Sequence, residues 1–229
     1  MALQLYVGNK NYSSWSMRPW VLLTEAGIPF EEVVVRFDSF EPGSKFKTEI
    51  LQHNPVGKVP VLVDGDLAVW DTLAIAEYLA EKFPGKNLWP ADPKRRARAR
   101  SVTAEMHSGF TGVRNHFGMN IEARLPEVGA KVLAEQPDVR KEVDRLVSMW
   151  TSLLAESGGP MLFGDFSIAD AFYAPVVTRL VTYGVPVTPV VQGYIDRVLA
   201  LRGVSAWRRD ALAEQDFLQF EENYRTSRT

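Results

Sequence analysis

The 229-residue chain contains no cysteine. This excludes a disulfide framework, a thiolate metal site and a Cys-x-x-Cys redox centre. Thiol chemistry at this protein must use a sulfur that the substrate brings. Histidine is scarce too. His53, His107 and His116 form no His-Glu-x-x-His or related ligand spacing. They read as surface or helix-packing residues, and no metal is expected. There is no Gly-x-Ser-x-Gly elbow, no Walker loop and no dinucleotide Gly-x-Gly-x-x-Gly. Those absences argue against serine hydrolases, P-loop enzymes and dinucleotide dehydrogenases. No apolar run approaches membrane-spanning length. The start, Met1-Ala2-Leu3-Gln4-Leu5-Tyr6-Val7, lacks the basic and long apolar regions of a signal peptide. A soluble cytoplasmic protein without a membrane partner is the expectation. The net charge of −2 offers nucleic acid no general attraction.

What is present is ordinary for a soluble globular chain: 46% hydrophobic and 24% charged residues. The length leaves room for two small domains. Leu3 to Val7 alternates as a strand. Ser13-Ser14-Trp15-Ser16 opens a helix to about Ala26, with Gly27 closing it and Pro19 expected in its first turn. Phe30 to Val35 reads as a second strand, and Asp38 to Gln52 as a loop and a helix. Asn54-Pro55-Val56-Gly57-Lys58-Val59-Pro60-Val61-Leu62 is a turn entering an apolar strand. A cis Val59-Pro60 bond there would leave the Val59 N–H and C=O facing outward. Asp64-Gly65-Asp66 turns the chain back along Leu67-Ala68-Val69. Thr72 is expected to cap a helix with the stripe Ile75, Ala76, Leu79 and Phe83. The order is βαβαββα, a thioredoxin-like α/β domain over residues 1–83.

Residues 84–92 have linker chemistry, and 93–229 read as all-helical. Asp92-Pro93 opens a long helix carrying Val102, Met106, Phe110, Val113 and Phe117 on one face. A second runs from Val139 to Ser157. Ser167-Ile168-Ala169-Asp170 is a capping box with Asp in the usual Glu place. Thr188-Pro189 starts another helix, and Ser205 to Glu214 a short one. Phe217 to Phe220 is expected to pack back on this domain, with Glu221 to Thr229 a frayed tail.

Lys58-Val59-Pro60, Asp71-Thr72 and the Ala74-Ile75-x-x-Tyr78-Leu79 run together resemble the glutathione-binding half of the cytosolic glutathione transferases. The resemblance extends over the chain, more by pattern than by motif in the helical part. It implies a glutathione transferase with glutathione as co-substrate, acting on a small hydrophobic electrophile, and a homodimer. A glutathione-dependent isomerase or peroxidase, or a non-catalytic glutathione-binding module, are the alternatives. In serine-type, zeta-like relatives Ser-Ser-Cys-Ser-Trp-Arg stands where this chain has Ser13 to Arg18. That places the activating serine on Ser13, with Ser14 and Tyr12 as rivals. Trp15 replaces the zeta-class cysteine, which puts that class's isomerase activity in doubt. The resemblance further implies Lys58 and Lys45 for the glycyl carboxylate, the Val59 backbone for the cysteinyl residue, and Asp71 with Thr72 for the γ-glutamyl end. The electrophile pocket would draw on Trp15, Met106, Phe110 and Arg114. The basic run Lys94 to Arg100 is expected on a solvated face or against acids of a partner subunit.

Overall fold

The computed structural model describes residues 2–228. Four strands form one sheet in the order β2-β1-β3-β4: β1 (Leu3–Val7), β2 (Phe30–Val34), β3 (Val61–Asp64) and β4 (Leu67–Trp70). β1 and β2 run parallel, because α1 (Ser14–Ala26) crosses between them; β3 pairs antiparallel with both β1 and β4. Gly65, at φ 65°, makes the tight β3–β4 turn. α2 (Lys45–Ile50) covers one sheet face, over Val35, Phe37, Phe46, Ile50 and Val61. α1 and α3 (Thr72–Lys82) cover the other.

The second layer is helical: α4 (Pro93–Ser108), α5 (Thr111–His116), α6 (Pro126–Glu135), α7 (Pro137–Ser157), α8 (Ile168–Thr182), α9 (Pro189–Ala200) and α10 (Arg202–Glu214). α8 is buried almost throughout and packs on α1, α4 and α9, so one apolar core runs from the sheet into the helices. The capping box expected at its start is present. Asp170 there accepts from the Ser167 N–H (2.9 Å), the Leu162 N–H (3.1 Å) and the Tyr194 hydroxyl (3.0 Å).

Several expectations are corrected. Pro19 lies well inside α1 rather than in its first turn, so the Trp15 carbonyl loses its helical donor. Asp71, not Thr72, caps α3; its side chain accepts from the Leu73 N–H at 2.8 Å. The long helix after Asp92 breaks at Gly109 and Phe110, the latter at φ 52°. A Cβ on Gly109 would meet the Glu105 carbonyl at 2.7 Å. Glu142 of α7 then caps α5 from a distance, through the Gly112 and Val113 N–H groups (3.2 and 2.8 Å). α6 was not expected at all.

The basic run is used partly within the chain. Arg95 donates to the Phe163 carbonyl, Arg96 to Pro90 and Ala91, and Arg100 makes a two-bond pair with Glu77 (2.9 and 3.0 Å). The C-terminal segment is not frayed. Glu222 is buried and accepts from Tyr12, Asn120 and Arg225, and Arg228 pairs with Glu122. Phe220 packs on Phe40 of the first domain, not on the helices, at 5.2 Å between rings. Thr229 lies outside the described residues. Among the described residues no helix is long and apolar enough to cross a membrane.

Candidate active site

The site forms where α1 begins. Gly8 follows β1, and its N–H donates to the Ser16 hydroxyl at 3.1 Å. The approach needs glycine, since a Cβ there would enter the Phe37 ring. The Ser13 hydroxyl donates to the same Ser16 oxygen at 2.8 Å and makes no cap bond. The first turn of α1 therefore keeps N–H groups without a side-chain cap, at the positive end of the helix. A serine cap was expected here; the Ser13–Ser16 pair replaces it.

The two rivals of Ser13 have other partners. The Ser14 oxygen accepts from Arg179 at 2.9 Å. The Tyr12 hydroxyl donates to Glu222 at 2.7 Å, and burial, then the Glu222 carboxylate, push its pKa up to about 12. Its proton is thus committed to the tail.

Two cavities meet at this point. The larger, about 750 Å³, is lined by Tyr12, Ser13, Ser14, Phe40, Lys47, Arg114, Met119, Arg179, Phe220 and Glu221 among others. The smaller, about 450 Å³, is lined by Asn54, Val56, Pro60, Trp70, Asp71 and Thr72. Trp15, Lys58 and Val59 border both, which makes one continuous cleft. The Val59-Pro60 bond is cis. Among the described residues neither the N–H nor the C=O of Val59 has a hydrogen-bond partner.

The cleft is rich in positive charge. Arg18 is buried, with its guanidinium 4.3 Å from the Trp15 ring centre and 5.0 Å from that of Phe172. Its Nε and Nη1 have no hydrogen-bond partner. Arg114 also stands over Trp15, at 5.4 Å. Burial, then Arg179 and Arg114, lower the Arg18 pKa to about 9; burial lowers that of Arg179 to about 10. Both stay charged at neutral pH.

Of the sequence candidates, Ser13, Trp15, Lys58, Val59, Asp71, Thr72 and Arg114 all border the cleft. Lys45, Met106 and Phe110 do not. Lys45 is exposed at the start of α2, and Lys47, two residues on, lines the cavity with its ammonium on the Gly57 carbonyl (2.7 Å). Met106 and Phe110 are packed in the core. Sequence reasoning missed Lys47, Arg179, Phe220 and Glu221. Arg179 did carry a signal, as the lone basic residue in a mostly apolar helix. Among the described residues no cluster of three or more His, Asp or Glu could hold a metal ion.

Family models for the glutathione S-transferase N-terminal and C-terminal domains match residues 12–82 and 121–210. The chain is 33% identical over 182 residues to glutathione S-transferase 1 of Dianthus caryophyllus, covering 79% of this chain and 78% of that one. It is 28% identical to the maleylacetoacetate isomerase of Rattus norvegicus, covering 81% of each. A crystal structure of a glutathione transferase homolog from Burkholderia with bound glutathione superposes with a TM-score of 0.70 at 27% identity, over 93% of this chain and 100% of that one. With the serine-headed helix, the cis-proline cleft and these likenesses together, the chain belongs to the glutathione S-transferase family.

Proposed function

We propose that Ser13 holds the sulfur of glutathione as a thiolate at the head of α1, for attack on an electrophile in the larger cavity. The observation that carries this is the uncapped first turn of α1 beside the Ser13 hydroxyl, at the junction of the two cavities. A free thiol, with a pKa of about 8.5, is only a few per cent ionised at pH 7. Lowering it by ~2 units takes ~2.7 kcal/mol, within the range of one charge-assisted hydrogen bond plus a helix terminus. If the Ser16 hydroxyl rotates to donate to Ser13, the Ser13 proton is released toward the sulfur. Arg18 and Arg179 add positive potential nearby. Ser13 acts as a donor, not a nucleophile, and needs no base.

In this reading the Val59 N–H and C=O pair with the cysteinyl backbone. Asp71 accepts from the γ-glutamyl ammonium, and Thr72 donates to its carboxylate. Lys58 and Lys47 serve the glycyl carboxylate. Arg114 and Arg179, both lining the electrophile chamber, favour a substrate with a carboxylate or a polarised carbonyl. Trp15, where zeta-class relatives have cysteine, weighs against isomerase chemistry that needs that cysteine. A cytoplasmic homodimer completes the reading. The exposed Leu67 on edge strand β4 supports a subunit contact there.

The test is retention on immobilised glutathione followed by turnover of chlorodinitrobenzene. Ser13→Ala should keep retention and lose about 10-fold in turnover near pH 7, with about 30-fold, the change in thiolate fraction for the whole ~2 units, as the ceiling because the helix terminus remains. Unchanged turnover in Ser13→Ala, with loss in Ser14→Ala, would move the role to Ser14. Retention of the wild type with no turnover across an electrophile panel would leave a binding module only.

A further inference from the structure

The larger cavity holds a carboxyl group that thiol activation does not use. Glu221 lies in a short 3-10 turn (Gln219–Glu221) of the C-terminal segment and lines the chamber with Ser13, Arg114 and Arg179. Among the described residues it enters no hydrogen bond or ion pair through its side chain. Its neighbour Glu222 is fully engaged by Tyr12, Asn120 and Arg225. The turn is held from two sides: Glu222 ties it to Tyr12, and Phe220 packs against Phe40. The carboxyl is thus positioned by its flanks and left free itself.

We propose that Glu221 is the catalytic proton donor when glutathione adds to an α,β-unsaturated carbonyl compound, a step that displacement reactions do not need. The proposal rests on the transferase reading above. In the addition, a thiolate lone pair forms the S–C bond to the β-carbon. The C=C π pair moves toward the carbonyl, making an enolate that Arg114 and Arg179 are placed to stabilise. The Glu221 O–H proton passes to the enolate, and the O–H pair stays on the carboxylate. Water returns a proton to Glu221, matching the one released when the thiol ionised. Halide displacement from a nitroaromatic needs no such proton, because chloride leaves with the bonding pair.

The surroundings suit this role. Burial raises the Glu221 pKa to about 7; Arg179 of α8 pulls it down and Glu222 pushes it up. Arg114 of α5, the Tyr12 hydroxyl, Lys47 of α2 and Lys58 are the other charged or titratable groups on the chamber wall. A substantial share of Glu221 is therefore protonated at neutral pH, and a donor matched to the working pH is the efficient one.

The experiment compares kcat for ethacrynic acid, an enone, with kcat for chlorodinitrobenzene across pH. In the wild type the ratio of addition to displacement should fall as pH rises through about 7. In Glu221→Gln that ratio should drop by about 10²-fold and lose its pH dependence. Equal losses for the two substrates, or a wild-type ratio independent of pH, would overturn the proposal. Should Glu221→Gln fail to fold, the wild-type pH profile decides alone. A wild type inactive on both substrates removes the transferase reading, and this proposal with it, whereas displacement without a pH-dependent addition ratio removes this proposal only.

Discussion

The His107 imidazole of α4 stands 3.2 Å from the Asp71 carboxylate, Nε2 to Oδ2. The contact joins the helical domain to the head of α3, where Asp71 holds a positive φ of 70° that a non-glycine residue adopts at a cost. One oxygen of Asp71 is held by the Leu73 N–H and the other by His107. Burial lowers the His107 pKa, opposed by Asp71 and reinforced by Arg18 and Arg114. The ring is neutral at pH 7 and donates to Asp71 from Nε2.

His107→Ala should therefore loosen the γ-glutamyl site without touching the sulfur. The expected result is a rise of about tenfold in KM for glutathione with kcat little changed, the effect of one hydrogen bond to a charged group. A fall in kcat at constant KM would assign His107 to the chemistry instead.

Lys10 is buried with its ammonium 2.7 Å from Glu32 and 2.8 Å from Asp210, over the Trp20 and Trp207 rings. It clamps β2 and the head of α1 to α10. Lys10→Met takes the shared cation from two carboxylates that are 28% and 33% exposed, while Arg209 still pairs with Asp210. A loss of about 1–2 kcal/mol in denaturant unfolding is expected, between the exposed and the buried case, and a loss below about 0.5 kcal/mol would show the clamp to be dispensable.

Asp170 is buried and its pKa is raised to about 6, chiefly by burial, against the hydrogen bonds from Leu162, Ser167 and Tyr194. The folded value exceeds the unfolded one, so the unfolded chain releases this proton first as pH rises. The stability this group contributes is complete below about pH 4 and is lost as pH climbs through about 6. Asp170→Asn should flatten that part of the stability profile. Asp170→Ala, which strands the Leu162 and Ser167 N–H groups, should cost about 3 kcal/mol or more at any pH.

Tyr12→Phe removes the hydroxyl that reaches Glu222 and the Leu218 N–H. Residues 217–225 should then exchange amide hydrogens faster while the rest of the chain is unchanged, with a stability loss of about 1 kcal/mol. Uniform protection across the chain would mean that Asn120 and Arg225 hold the tail unaided.

The first domain was legible because its signals are local. Alternation marks β1, Gly65 sets the β3–β4 turn, and the spacing of Ile75, Ala76 and Leu79 marks α3. Where the reading failed, a distant partner decided. Glu142 caps α5 across 30 residues of chain, and no local pattern records that. α6 lies between Leu125 and Gln136, neither of which is a capping residue, so Pro126 and Glu127 in its first turn are the local marks of its start. Met106 and Phe110 share a stripe with core residues, and spacing alone does not separate a core wall from a cavity wall.

By itself the sequence determined that the sulfur must come from outside, since the chain has none of its own to ionise, and that serines would head the opening helix beside a Val59-Pro60 turn. Only the tertiary structure decided what surrounds that helix. Arg179, 165 residues away, reaches Ser14, and Glu222, 210 residues away, accepts the hydrogen bond of the Tyr12 hydroxyl. The physical reason is range. Periodicity and capping act within a few residues, whereas burial and charge act through space between elements that only the packed core brings together.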